Sequence, residues 1–283
     1  MSAREWHLPD RVLCIGPRPL ILGIVNVTPD SFSDGGLYPD TDSAVAHGLC
    51  LAEEGADLLD IGGESTRPGA TPVSLDEELR RALPVVAAVA KRTRVPLSID
   101  TSKSEVARAC LESGAHIVND VTALTGDLDM ARTVANAKAA VILMHMQGTP
   151  QTMQIAPAYD NVVAEVAHYL ETRLHAAAEI GIHPDRVALD PGIGFGKKAR
   201  HNLDLLAHLD ALQRLGRPVC LGVSRKGFLG KIVERDVAER LPASLAALAY
   251  ALCRQAVQII RVHDVKETRD FLRTWEAIEN RTG

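Results

Sequence analysis

The stretch from Asp57 to Gly69 reads D-L-L-D-I-G-G-E-S-T-R-P-G. It predicts a short apolar strand over Leu58 to Ile61 that breaks at Gly62-Gly63 and runs into a loop. The loop sets a carboxylate, two hydroxyls and a guanidinium side by side from Glu64 to Arg67, and Pro68 fixes a turn after them. The paired glycines let backbone approach a ligand closely. A glycine turn leaving a buried strand is ordinary by itself. Functional side chains crowded at a strand's C-terminal end are less so, and the arrangement recurs along the chain.

Upstream, residues 1–19 read as an extended lead-in, with Pro9, Pro17 and Pro19 as breakers. Leu20 to Val27 (L-I-L-G-I-V-N-V) is a continuous apolar run, as a strand buried on both faces requires. Ser43 to Glu54 has helical spacing, with Ser43 as the expected N-cap and Gly55 as the stop. Downstream, strands are expected at Val95 to Ile99, Ala115 to Val118, Ala140 to Met144, Val187 to Leu189, Pro218 to Val223 and Val257 to Val262. Helices are expected between them, at Leu75 to Arg92, Ser104 to Ser113, Asp129 to Ala137, Val162 to Ile180, Asn202 to Leu215 and Ala243 to Arg254, with a closing helix over Asp264 to Glu279.

Eight short apolar strands alternating with helices, with no linker between them, describe one α/β domain over 20–283, a (β/α)8 TIM barrel. A doubly wound open sheet shares the alternation. Only the barrel expects functional residues at the C-terminal ends of most strands, on one rim. Asn26, Glu64 to Arg67, Asp100, Asn119, His145, Asp190, Ser224 to Lys226, Arg261 and His263 all fall there.

The formal net charge of -5 over 283 residues argues against a general nucleic-acid or anionic-membrane binder. Five scattered cysteines without a C-x-x-C fit neither a disulfide framework nor a thiolate zinc site, and point to a reducing compartment. The N-terminus carries no apolar run of a signal peptide, and no segment reaches membrane-spanning length, so the expected setting is cytoplasmic and soluble.

Asp100, Asn119 and Asp190 would place two carboxylates and an amide at the barrel mouth. They suit a catalytic carboxylate pair or recognition of a ring rich in N–H donors; the alternative is that each acid caps the helix after it. Asn26, Thr66, Arg67, Arg261 and His263 come from strands that become neighbours when a barrel closes, and such donors suit a phosphate or diphosphate. An amide oxygen together with phosphate oxygens can also hold Mg²⁺. Lys226 stands where an acceptor atom or an anion would be met. Gly192, Gly194 and Gly196 lack both dinucleotide and Walker spacing, and His145 reads as a supporting histidine.

Taken together, N-V-T-P-D-S-F-S-D-G-G (Asn26 to Gly36), G-G-E-S-T-R-P-G (Gly62 to Gly69), S-I-D-T (Ser98 to Thr101), N-D-V-T (Asn119 to Thr122), D-P-G-I-G-F-G-K (Asp190 to Lys197), S-R-K (Ser224 to Lys226) and R-V-H-D-V (Arg261 to Val265) resemble the dihydropteroate synthase family. The resemblance implies an enzyme joining 4-aminobenzoate to 6-hydroxymethyl-7,8-dihydropterin diphosphate with Mg²⁺, usually as a homodimer. It implies that Asp100, Asn119, Asp190 and Lys226 hold the pterin, and that Asn26 (by way of the metal), Thr66, Arg67, Arg261 and His263 meet the diphosphate. Phe32, Thr66, Pro68, Lys226 and Gly227 would form the 4-aminobenzoate pocket. Asp34, Asp100, Lys226 and Arg261 would bear on catalysis, with Asp34 and Asp100 steadying a cation. Two loops, one carrying Phe32 and Asp34 and the other Thr66 to Pro68, would close over the site. Departures from the family pattern are Gly227, where serine or arginine is common, Ile193, expected to alter a pocket wall, and a peripheral Gln255. A corrinoid-type methyltransferase and a non-catalytic pterin-binding paralogue are the other readings. The first gives no reason to keep both the R-P-G loop and the R-V-H-D end, and the second commonly loses one of them.

Overall fold

The computed structural model describes residues 4–28 and 41–281. Part of the stretch expected to be extended is an antiparallel hairpin, β1 (Arg4–His7) with β2 (Val12–Ile15), in which Trp6 faces Leu13. Trp6 is fully buried and donates its indole N–H to the Arg186 carbonyl at 3.0 Å. It packs with Leu8 and Ile15 against Leu22, Leu58, Ile117, Ala140, Ile142, Ala188, Cys220 and Ile259. These partners sit low on the strands of the main sheet, so the hairpin plugs that sheet's N-terminal end.

The main sheet has eight parallel strands: β3 (Leu20–Asn26), β4 (Leu58–Gly62), β5 (Leu97–Asp100), β6 (Ile117–Asp120), β7 (Ala140–Met144), β8 (Val187–Asp190), β9 (Cys220–Leu221) and β10 (Ile259–Val262). They pair in chain order from β3 to β8, and β10 joins β9 to β3. A bridge between Leu189 and Val219, with Leu189 donating its N–H to the Pro218 carbonyl at 2.9 Å, closes the ring. The doubly wound alternative is excluded by that closure. Around the ring lie α1 (Thr41–Glu54), α2 (Leu75–Ala90), α3 (Ser104–Glu112), α4 (Met130–Asn136), α5 (Val162–Glu179), α6 (Ala199–Ala207), α7 (Gly227–Val233), α8 (Leu241–Cys253) and α9 (Val265–Asn280).

Successive strand side chains point to opposite faces, and in a closed barrel one face is the lumen and the other meets the helices. Ile21, Val25, Leu59, Ile61, Ile99, Val118, Val141, Leu143, Leu189, Leu221, Ile260 and Val262 join the helices in the larger core. Residues of the other parity fill the lumen. Low in the barrel these are the apolar partners of Trp6; towards the C-terminal ends they are Asn26, Asp60, Asp100, Asn119, Asp190 and Arg261. The ring is thus mostly oily outside, oily inside at the bottom and polar inside at the top on β3, β4, β5, β6, β8 and β10.

Several expected boundaries move. β5, β6 and β8 extend to include Asp100, Asn119 and Asp190, so these residues are held by ladder hydrogen bonds and not by loops. α1 begins at Thr41, which puts Ser43 inside the helix instead of at its cap. The helix expected over Asn202 to Leu215 is α6 followed by a 3-10 segment, Leu209–Leu215, that ends at left-handed Gly216. Among the described residues no helix is long and apolar enough to cross a membrane, and all five cysteines are free.

Candidate active site

Ladder register sets the first layer of the mouth. Asn26 lies opposite Gly62, Gly62 opposite Asp100, and Asp100 opposite Asn119, so four adjacent strands present inward positions at one level. A Cβ at Gly62 would sit 3.4 Å from the Cβ of Asp100, which places the two positions side by side at the mouth.

Asp60, one inward step below Gly62, was not anticipated from the sequence. It is fully buried, and its Oδ2 accepts from the Asn119 amide at 2.9 Å and from Arg261 Nε at 2.6 Å. Its Oδ1 has no hydrogen-bond partner among the described residues. A second guanidinium nitrogen of Arg261 donates to Asp100 Oδ2 at 2.7 Å. Arg261 therefore ties the bottom of the mouth together, and Asn119 is turned by the same acid. The available signal was an aspartate at inward parity within an apolar strand, since an unpaired charge there is costly.

Burial pushes Asp100 up to about 7, although the neighbouring Arg261 pulls the other way. Burial also raises Asp190, whose Oδ1 accepts the Gly192 N–H at 2.7 Å. Lys226 is pushed down to about 8 by burial, opposed by Asp190, and its ammonium rests 4.3 Å from the Phe195 ring centre. Two acids, an amide and a lysine from four strand ends thus face one space. The neighbouring acid, outward-facing Asp120, ties down the turn after β6 by accepting from the N–H groups of Thr122 and Leu124.

The D-P-G-I-G-F-G-K loop is a packing device. A Cβ on Gly192 would lie 1.8 Å from the His145 carbonyl oxygen, and one on Gly196 would lie 2.3 Å from that of Gln147. Buried Lys197 folds back to donate to the Gly192 and Phe195 carbonyls at 2.9 and 3.0 Å, with His145 Nδ1 at 2.9 Å. Burial pushes Lys197 down to about 7 and His145 to about 3. His145 is a supporting residue, as expected. Ile193, expected in a pocket wall, packs instead in the core between barrel and helices. Gln255 occupies a left-handed turn after α8, where a side chain is strained and glycine is comfortable.

The loop after β4 is clasped at its root. Arg81 donates to the Gly63 carbonyl at 3.1 Å, and Glu64 Oε1 accepts the Val73 N–H at 3.2 Å. Lys103 bridges Glu64 and fully buried Glu78, at 2.5 Å each. Gly69 donates to the Pro150 carbonyl at 3.0 Å. Glu64 therefore anchors the loop and is not a site residue, while Arg67 and Pro68 are exposed at its tip with Thr66 half-buried. His263, at the end of β10, places Nδ1 2.9 Å from Ser224 Oγ. Gly227 is exposed at the start of α7. Phe32 and Asp34 lie outside the described residues.

Among the described residues no group of three His, Cys, Asp or Glu side chains could hold a metal. Asn26, opposite Gly62 at the mouth, offers a single amide oxygen, which fits a divalent ion that arrives with a phosphate and keeps most of its ligands from it.

The model of the pterin binding enzyme family matches residues 22–263. The dihydropteroate synthase of Escherichia coli K12 is 48% identical over 261 residues, covering 92% of this chain and 91% of that one. A solved Xanthomonas albilineans dihydropteroate synthase with 4-aminobenzoic acid is 48% identical with a TM-score of 0.91, covering 98% of this chain and 99% of that one. The same organism's dihydropteroate synthase in complex with 7,8-dihydropteroate is 45% identical with a TM-score of 0.87, covering 97% and 98%.

Replacing Lys103 with methionine leaves Glu78 as an uncompensated buried charge and should destabilise the fold by about 3–5 kcal/mol. Glu78 already holds its proton more tightly than a free glutamate because it is buried. Its folded pKa lies above its unfolded one, so acidification favours the folded form, and the variant should recover stability as pH falls through the Glu78 pKa. Urea unfolding at several pH values checks this; a variant equally stable at all of them would contradict it.

Proposed function

The chain belongs to the pterin-binding enzyme family, among its dihydropteroate synthases, and we propose on that basis that it joins 6-hydroxymethyl-7,8-dihydropterin diphosphate to 4-aminobenzoate. The products are 7,8-dihydropteroate and diphosphate. The observation that carries this reading is the set of buried Asp100, Asn119 and Asp190, held by ladders around one mouth with Lys226 above them. Carboxylates accept paired N–H groups from an aminopyrimidine ring, and the lysine and the amide meet its carbonyl and ring nitrogens.

The reaction breaks the bond between the pterin's exocyclic methylene carbon and the diphosphate oxygen, whose electron pair departs with diphosphate. The aromatic amine then supplies its lone pair to that carbon and loses a proton to solvent. Arg67 and Arg261 neutralise the departing oxygens, His263 donates a hydrogen bond to them, and Asp100 steadies the positive charge left on the pterin. Asp34 belongs to the same role on sequence grounds. The amine is nucleophilic when neutral, so no dedicated base is required. Mg²⁺, held by the Asn26 amide oxygen and the diphosphate, would supply further charge neutralisation. Thr66, Pro68, Phe32, Lys226 and Gly227 form the 4-aminobenzoate pocket in this reading, with the exposed loop tip closing over it. The test is diphosphate release from the pterin diphosphate. Release should require both 4-aminobenzoate and Mg²⁺ and stop on chelation. Release that ignored 4-aminobenzoate would sink the assignment, and release that survived chelation would remove the metal from it.

Asp100 must be ionised to accept two ring N–H groups. With its pKa raised to about 7, pterin affinity should strengthen as pH rises through neutrality. Asp100→Asn should flatten that dependence and weaken binding about 10–100-fold, from loss of charge-assisted hydrogen bonds. Titration calorimetry with a pterin across that range measures both.

We also propose a homodimer through the face formed by α6, α7 and α8. There Leu203, Ile232, Val233 and Tyr250 are exposed beside Leu206 and Ala247, around a groove of about 400 Å³. Ile232→Glu should shift the mass measured by light scattering from two chains to one; a wild-type mass of one chain would contradict the proposal. Free cysteines, three of them exposed, suit a cytoplasmic setting, which cell fractionation would test.

A further inference from the structure

Ser224 follows β9 and is 8% exposed. Its Oγ lies 3.2 Å from the backbone nitrogen of His263 and 2.9 Å from the ring Nδ1 of the same residue. A hydroxyl has one proton and two acceptor sites. The backbone N–H can only donate, so it takes one acceptor site. Among the described residues, Nδ1 is the remaining hydrogen-bond partner of the hydroxyl. Were Nδ1 protonated, Oγ would accept twice and its own proton would be left without an acceptor in a buried place. With Nδ1 bare, the hydroxyl donates to it and every group is satisfied.

We infer that Ser224 is a positioning residue that fixes His263 as the neutral tautomer protonated at Nε2, so that the ring offers one uncharged N–H donor to the leaving diphosphate. The charged groups around the ring favour that state. Arg261, Arg225 and Arg67 all disfavour a further positive charge, and Asp264, the acid that acts on the ring among the described residues, is engaged by Arg225 at 3.0 Å and by a second, shorter contact. Burial acts in the same direction and holds the imidazole down to about 4. The leaving-group contact rests on the proposed diphosphate chemistry; the tautomer does not. A donor without net charge steadies the departing oxygens yet holds free diphosphate less tightly than another cation would, which favours its release.

The test uses the full chain labelled with ¹⁵N-histidine and read by long-range ¹H–¹⁵N correlation at neutral pH. His263, assigned by its loss in His263→Gln, should give a pyridine-type Nδ1 and a pyrrole-type Nε2. Ser224→Ala should produce a mixture of tautomers, and Ser224→Thr, which keeps the hydroxyl, should restore the single form. The dissociation constant for inorganic diphosphate with Mg²⁺ should rise about 10-fold in the alanine variant and return in the threonine one. A pyrrole-type Nδ1 or an imidazolium in the wild-type enzyme would overturn the tautomer, and needs no variant to be folded. An altered tautomer with unchanged diphosphate affinity would overturn the leaving-group contact alone.

Discussion

Arg261 is the contact on which the mouth of the barrel depends. Its guanidinium bonds Asp60 at 2.6 Å and Asp100 at 2.7 Å, and Asp60 in turn holds the Asn119 amide. Without that cation, two acids would face each other in a closed, poorly solvated lumen, where like charges repel strongly and desolvation is unopposed. The position follows from the barrel. β10 stands next to β3, itself next to β4, so residues distant in sequence converge only once the ring has closed. The same residue is then part of the fold's electrostatic balance and, in the proposed reaction, of the diphosphate contacts, so its removal would disturb both.

The supporting machinery is built from polar groups engaged with other parts of the chain. Lys197 binds its own loop carbonyls, Lys103 joins Glu64 to Glu78, and Asp120 ties down the turn after β6. Each places a charge inside the protein to fix backbone, which keeps the reactive groups on their ladders and leaves one loop tip exposed. Lys197 and Lys226 follow neighbouring strand ends, but Lys197 is buried against its own loop carbonyls whereas Lys226 is half-buried with its ammonium beside Phe195. Gly192 and Gly196 of the D-P-G-I-G-F-G-K loop serve close packing against the segment after β7, while Gly194 lies against the Lys226 side chain.

Much of the site was legible because the barrel places function at strand ends. Asp100, Asn119, Asp190, Lys226, Arg261 and His263 could each be named from an apolar run followed by a polar residue. Asp60 could not, because it sits inside a strand and only the lumen's closure makes it a partner of Arg261. Glu64 was misjudged for a related reason: adjacency in sequence suggested a shared role with Thr66 and Arg67, whereas Lys103, from the following strand's loop, draws it away from the tip. Ile193 and the N-terminal hairpin were misread because a short apolar segment does not reveal which surface it will cover.

Local spacing along the chain was enough to determine the alternation of strands and helices, the gathering of polar residues at the strands' C-terminal ends and the family motifs. Tertiary structure was needed to decide that the sheet closes, that Trp6 seals its lower end, and that Arg261 bridges two acids. It also decided that Ser224, separated from His263 by thirty-nine residues, meets that ring. Such contacts join segments whose separation leaves no periodic trace, and only packing brings them within hydrogen-bond reach.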